Sequence, residues 1–174
     1  MHGPGQVDDR GADDGSPNDP DSPADTDEGL ASSRPPANFA AVRTWALNTV
    51  QELAALRSAL RRELAAGADP EPELGTVADQ MVLVASELAT NALRHGIPPT
   101  IVQLSRNQET FLLDVADHDL RTAPRIAGTR APGLGGFGLQ IARRIALDVG
   151  WYTSRTTKHV WALFPAPDVQ GRLA

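Results

Sequence analysis

At Gly96-Ile97-Pro98-Pro99 the hydrophobic period of this chain switches from helical to alternating. Two consecutive prolines lack the backbone donors a helix needs, and a glycine before them is a common helix stop. Upstream, residues 75–95 place Val82, Ala85, Leu88, Ala89 and Ala92 on one side of a long helix. Downstream, residues 100–106 and 110–117 alternate apolar and polar side chains, with Asn107-Gln108-Glu109 as the turn between two strands. A long helix feeding directly into a hairpin excludes a pure bundle and a pure sandwich.

The flanking segments complete the pattern. Residues 44–50 read as a strand, and residues 52–66 as a helix with Leu53, Leu56, Leu60 and Leu64 at helical spacing, stopped by Gly67. Residues 68–73 read as a loop. A long aperiodic segment, 118–136, is rich in Gly, Pro and Arg; loops of this length in a compact domain are usually functional. Residues 137–147 form the next helix, and strands 149–154 and 158–164 close the chain around Arg155-Thr156-Thr157. The expected architecture is α+β: a two-layer sandwich with a mixed, largely antiparallel sheet and its helices on one face.

The 174 residues suffice for one domain, and the apolar content, 41%, is unevenly spread. Residues 1–37 carry nine acids against Arg10 and Arg34, a net of −7, while the whole chain is −6. With six prolines, five glycines and few large apolar residues besides Val7 and Leu30, this segment is expected to be a disordered acidic tail. The domain is then expected over 38–168, with a short tail over 169–174. The near-neutral remainder argues against direct nucleic-acid binding, which usually requires a basic face. The absence of cysteine excludes disulfides, thiolate metal sites and cysteine nucleophiles. The four histidines show no metal-binding spacing. No secretory signal and no membrane-length apolar run is visible, so a cytoplasmic protein without membrane contact is expected.

Three segments carry candidate chemistry. Glu87, Asn91, Arg94 and His95 fall at i, i+4, i+7 and i+8 and form a polar stripe along the long helix. A carboxylate and an amide in such a stripe either satisfy one another or meet a ligand. An amide oxygen suits Mg²⁺, and the carboxylate could serve as a base. At the end of the strand 110–117, Asp117 shares a face with Leu113 and Val115. Such a carboxylate is either a turn former or an acceptor for a ligand amino group in a partly dry pocket. Finally, Gly133-Leu-Gly135-Gly136-Phe-Gly138 opens a helix whose free N–H groups suit an anion. The string matches a dinucleotide-binding fingerprint, but it follows a loop rather than a strand and lacks the acid expected beyond it. No GK[ST] follows, so a Walker A loop is absent as well.

As a set, Ser86-Glu87-Leu-Ala-Thr-Asn91-Ala-Leu-Arg-His95-Gly96, Asp117 and Gly136-Phe-Gly138-Leu139, with Trp151 and Thr157-Lys158-His-Val160-Trp161, resemble the GHKL (Bergerat-fold) ATPases. The resemblance is closest to the stand-alone anti-sigma-factor serine kinases and covers about residues 44–165. It implies ATP and Mg²⁺, with Asn91 ligating the metal and Glu87 acting as general base. It implies that Asp117 accepts from the adenine amino group, with Thr157 near adenine and His95 near the phosphates. Gly136 and Gly138 would let the backbone wrap the phosphates beneath a lid over 118–135. The implied partners are an anti-anti-sigma antagonist and a sigma factor, and a homodimer is compatible with the pattern. The sequence departs from the family where Asp117-His-Asp119-Leu replaces the usual Asp-x-Gly-x-Gly, and no cation lies in the glycine turn, so Arg121, Arg125 or Arg130 would have to neutralise phosphate. The alternative within the same resemblance is an ATP-binding switch without turnover. A histidine-kinase catalytic module is disfavoured, because the helix 52–66 offers no phosphoacceptor histidine.

Overall fold

The computed structural model describes residues 29–66, 72–124 and 137–166. Five antiparallel strands form one sheet in the order β1-β2-β3-β5-β4: β1 is Ala40–Leu47, β2 Thr100–Arg106, β3 Thr110–Asp117, β4 Asp148–Thr153 and β5 Lys158–Pro165. Helices α1 (Leu53–Ala65), α2 (Pro72–His95) and α3 (Phe137–Ile145) cover one face. The expected two-layer α+β sandwich is therefore present.

Alternation along the strands decides which side chains meet the helices. Val102 and Leu104 of β2, Leu113 and Val115 of β3, and Ala162 and Phe164 of β5 join the helix-facing core with Met81, Val84, Leu88 and Ala89 of α2. The leucine stripe of α1 behaves as its spacing requires: Leu53, Leu56, Leu60 and Leu64 are all buried. Each such side chain contributes about 1.5–3 kcal/mol relative to an exposed one, so this stripe alone anchors the helix. On the other face, Leu112, Trp161 and Leu163 form a smaller cluster with Phe39 and Tyr152.

Three boundaries differ from expectation. β1 begins at Ala40 and ends at Leu47, rather than spanning 44–50. Of its residues only Leu47 is buried, so little alternation marks an exposed edge strand. The Glu52 carboxylate ends it by accepting from the N–H groups of Asn48 (2.7 Å) and Thr49 (2.9 Å), which starts the turn into α1. Helix α2 starts at Pro72, a residue that costs nothing in a first helical turn, where its missing N–H has no partner in any case.

The largest difference is at the expected acidic tail, whose last residues are part of the domain. Ser32 makes a parallel bridge with Trp151, with Ser33 N–H donating to Trp151 O (2.8 Å) and Trp151 N–H to Ala31 O (3.1 Å). The Trp151 and Trp161 indoles donate to Leu30 O (2.8 Å) and Ser33 O (2.7 Å), and Leu30 is buried in the main core. This pairing adds a short parallel edge beyond β4. Composition missed it because one leucine and a few backbone groups hold the segment, and backbone groups carry no compositional signal. Residues 1–28, 67–71 and 167–174 lie outside the described residues, as do residues 125–136, which include most of the expected lid over 118–135.

Candidate functional site

Helix α2 supplies one wall of the site. Glu87 and Asn91 are half-buried, one turn apart, and neither side chain hydrogen-bonds to a described residue. Their helical neighbours are satisfied: the Ser86 hydroxyl donates to Val82 O (2.8 Å) and that of Thr90 to Ser86 O (2.6 Å). Glu87 and Asn91 therefore do not satisfy one another, and their polar groups remain available to a ligand.

The start of α3 lies against this pair. A Cβ on Gly138 would sit 2.5 Å from Glu87 Cβ and 3.4 Å from Asn91 Nδ2. Only glycine permits that approach, and it brings the N-terminal turn of α3, with its unpaired N–H groups and positive dipole end, beside the carboxylate and the amide. An anion held there would lie next to Asn91. Among the described residues no group of three acidic or histidine side chains could hold a metal ion. Mg²⁺ bound to phosphates needs few protein ligands, and the free Asn91 amide fits that requirement.

Asp117 lies at the C-terminal end of the same helix, about two and a half turns beyond Glu87. A Cβ on Gly96 would meet Asp117 Cγ at 2.5 Å and Ala92 O at 2.6 Å, so the glycine that ends α2 also admits the carboxylate beneath it. From Glu87 to Gly96 the helix rises about 13 Å, a span suited to a nucleotide with its base at one end and its terminal phosphate at the other. Asp117 is buried; its Oδ1 accepts from Asp119 N–H (2.7 Å), and its Oδ2 is 3.3 Å from Lys158 Nζ. Lys158 is buried too and lies 3.9 Å from Asp119. The Arg121 N–H holds the Asp119 carboxyl below the usual carboxylate range, with help from the Thr122 hydroxyl and Lys158.

Among the described residues three buried polar side-chain atoms have no hydrogen-bond partner: Trp45 Nε1 on the edge strand β1, and Thr100 Oγ1 and His118 Nδ1 toward the Asp117 end. Thr100 shares the helix-facing alternation of Val102 and Leu104, and one register step beyond Ile101–Ala116 sets it beside Asp117. Orphaned polar atoms of this kind cost stability unless a ligand or water meets them.

Several expected positions lie elsewhere. His95 is exposed in the last turn of α2, next to Gly96, and so at the Asp117 end rather than the Glu87 end where phosphates were expected. Thr157 is not directed at Asp117: its hydroxyl is 2.7 Å from His159 Nε2 and 2.6 Å from Ser154 Oγ. Strand register gives Asp117 the neighbouring Lys158 as its partner instead. Gly136, Arg125 and Arg130 lie outside the described residues. Arg94 is exposed on the α2 stripe, without an ion pair among the described residues. Lys158 and Thr100, which lie beside Asp117, are not among the candidates drawn from the sequence. The available signal was Lys158 standing on the same face as Val160 and Ala162, a charge leading an apolar row.

Thr157 belongs to a network on the opposite face of the sheet. His159 Nδ1 donates to Asp114 (2.8 Å), while Tyr152 stacks on His159 with centroids 4.5 Å apart and donates to Asp114 Oδ2 (3.2 Å). Burial pushes the Tyr152 phenol up to about 12 from 10.0; the Asp114 charge and hydrogen bond act the same way, against Arg34. A raised phenol value favours the fold while the group is protonated. That contribution is complete below pH 10 and is lost as pH rises through about 12. Because this is the chain's one tyrosine, ultraviolet titration reads it directly. Folded protein is expected to ionise near 12, and the Asp114→Ala variant at a lower pH but still above the free phenol, since burial remains. Equal midpoints would show that Asp114 does not act on the phenol.

No helix among the described residues is long and apolar enough to cross a membrane. A family model described as a histidine kinase-like ATPase domain matches residues 36–164. No curated protein matches the chain.

Proposed function

The chain belongs to the histidine kinase-like ATPase domain family, and on that footing we propose that it is a protein serine kinase that phosphorylates an anti-anti-sigma antagonist and thereby governs its own hold on a sigma factor. Family membership makes it a GHKL-type ATP-binding domain; the protein substrate, the reaction and the partners are our reading.

The observation that carries the reading is the unbonded pair Glu87 and Asn91 beneath the α3 N-terminus. Asn91 would ligate the Mg²⁺ that neutralises charge between the phosphates. The α3 N–H groups would hold phosphate oxygens, and an arginine of the segment 118–135, as the resemblance implies, would supply the cation that phosphoryl transfer requires. Glu87 accepts the proton of the antagonist's serine hydroxyl as that oxygen bonds the γ-phosphorus, and the bond from this phosphorus to the ADP oxygen breaks. At the other end Asp117 accepts from the adenine amino group.

The test incubates the full chain with γ-labelled Mg-ATP and a candidate antagonist encoded in the same genome. Label on an antagonist serine supports the kinase. ATP binding without transfer to any candidate favours the non-catalytic switch. Asn91→Ala is expected to weaken Mg-ATP binding by about 1–3 kcal/mol, with little change in melting temperature, since a ligand contact rather than core packing is lost. Unchanged affinity at saturating Mg²⁺ in calorimetry would leave the polar stripe with a structural role only.

A further inference from the structure

We propose that Lys158 is a base-reading residue: its ammonium donates to N1 of adenine while Asp117 accepts from the N6 amino group. This rests on the ATP-binding reading of the site and assigns its specificity. The buried Asp117–Lys158 pair, Nζ to Oδ2 at 3.3 Å, sets a donor and an acceptor side by side at the end of the sheet.

Neither group has exhausted its capacity. The ammonium has three donors, and two carboxylates, Asp117 and Asp119, lie near it. Asp117 accepts from Asp119 N–H and pairs with Lys158, which leaves lone pairs for a further donor. Three adjacent strands set Thr100, Asp117 and Lys158 in a row on the helix-facing side. Among the described residues the Thr100 hydroxyl is buried without a partner, so it too has a hydrogen bond to offer a ligand.

The order of the row matches one base. Along its edge adenine presents N7 as acceptor, the N6 amino group as donor and N1 as acceptor. Thr100, Asp117 and Lys158 offer a hydroxyl, an acceptor and a donor in that order. Guanine in the same placement would set its O6 acceptor against the Asp117 carboxylate and its N1–H donor against the ammonium. Both contacts would be repulsive, and the burial of Asp117 and Lys158 keeps water from relieving them.

Calorimetry on the full chain tests this with Mg-ATP, Mg-1-deaza-ATP, which lacks only the N1 acceptor, and the triphosphate of purine riboside, which lacks only the amino group. Wild type is expected to bind 1-deaza-ATP about 10- to 100-fold more weakly than ATP, the range for a hydrogen bond to a charged donor. Lys158→Met is expected to bind those two nucleotides with equal affinity. The wild-type comparison needs no variant, so it stands even if Lys158→Met folds poorly. Equal wild-type affinity for ATP and 1-deaza-ATP overturns the role of Lys158. If the purine riboside triphosphate still binds weakly in that case, Asp117 keeps its role and only Lys158 loses its own. Failure to bind ATP at all would remove the reading of the site together with this inference.

Discussion

Glu87→Gln is expected to bind Mg-ATP as the wild type does and to transfer its γ-phosphoryl group about 10²–10⁴-fold more slowly, the usual contribution of a positioned base. The amide keeps the shape of the carboxylate, so the close contact between Gly138 and Glu87 Cβ survives. It cannot take a proton from the attacking serine. Calorimetry should therefore register no change while a single-turnover transfer assay registers nearly all of it. A variant that transfers as fast as the wild type would keep the kinase and discard Glu87 as its base. A variant that loses ATP affinity as well would show that the carboxylate acts in nucleotide or metal binding.

A chain that starts at Pro35 is expected to lose about 2–4 kcal/mol of stability, a fall of roughly ten degrees in Tm. Composition alone would make the whole acidic segment dispensable, and the structure divides it. Removing residues 29–34 empties the core position of Leu30 and takes away the carbonyl that the fully buried Trp161 indole donates to. It also strips two backbone hydrogen bonds from the outer edge of β4. The entropy released from six residues offsets part of this loss, which is why the expected figure is smaller than the sum of the contacts. Thermal denaturation of chains starting at Gly29 and at Pro35 separates the two halves of the segment. Equal melting temperatures would show that Leu30 to Arg34 contribute nothing net.

The helix stripes of α1 and α2, the β2–β3 hairpin and the faces on which Glu87, Asn91 and Asp117 stand were legible in the sequence because each depends on local repetition. A helix must bury one side and a strand one face, so the periods 3.6 and 2 show in the residues themselves. The α2 stripe placed Glu87 and Asn91 on one face before any fold was known, and alternation set Asp117 on the apolar face of β3. The exposed strand β1 was less legible, since an edge with a single buried residue leaves almost no pattern.

The partner of Asp117 was a tertiary decision. After β3 the chain passes through α3, lays β4 at the edge of the sheet and returns β5 into the gap beside β3. That return sets Lys158 across from Asp117 and turns Thr157 toward Ser154 and His159. Strand order depends on which faces can be buried together by segments far apart in the chain, and no local period encodes it. The same holds at the other end of the site, where Gly138 meets Glu87 only because α3 packs on α2. By itself the sequence determined the elements and which of their faces turn inward. Only the folded chain decided which inward-facing charges meet, because a buried carboxylate takes its character from the group the packing sets beside it.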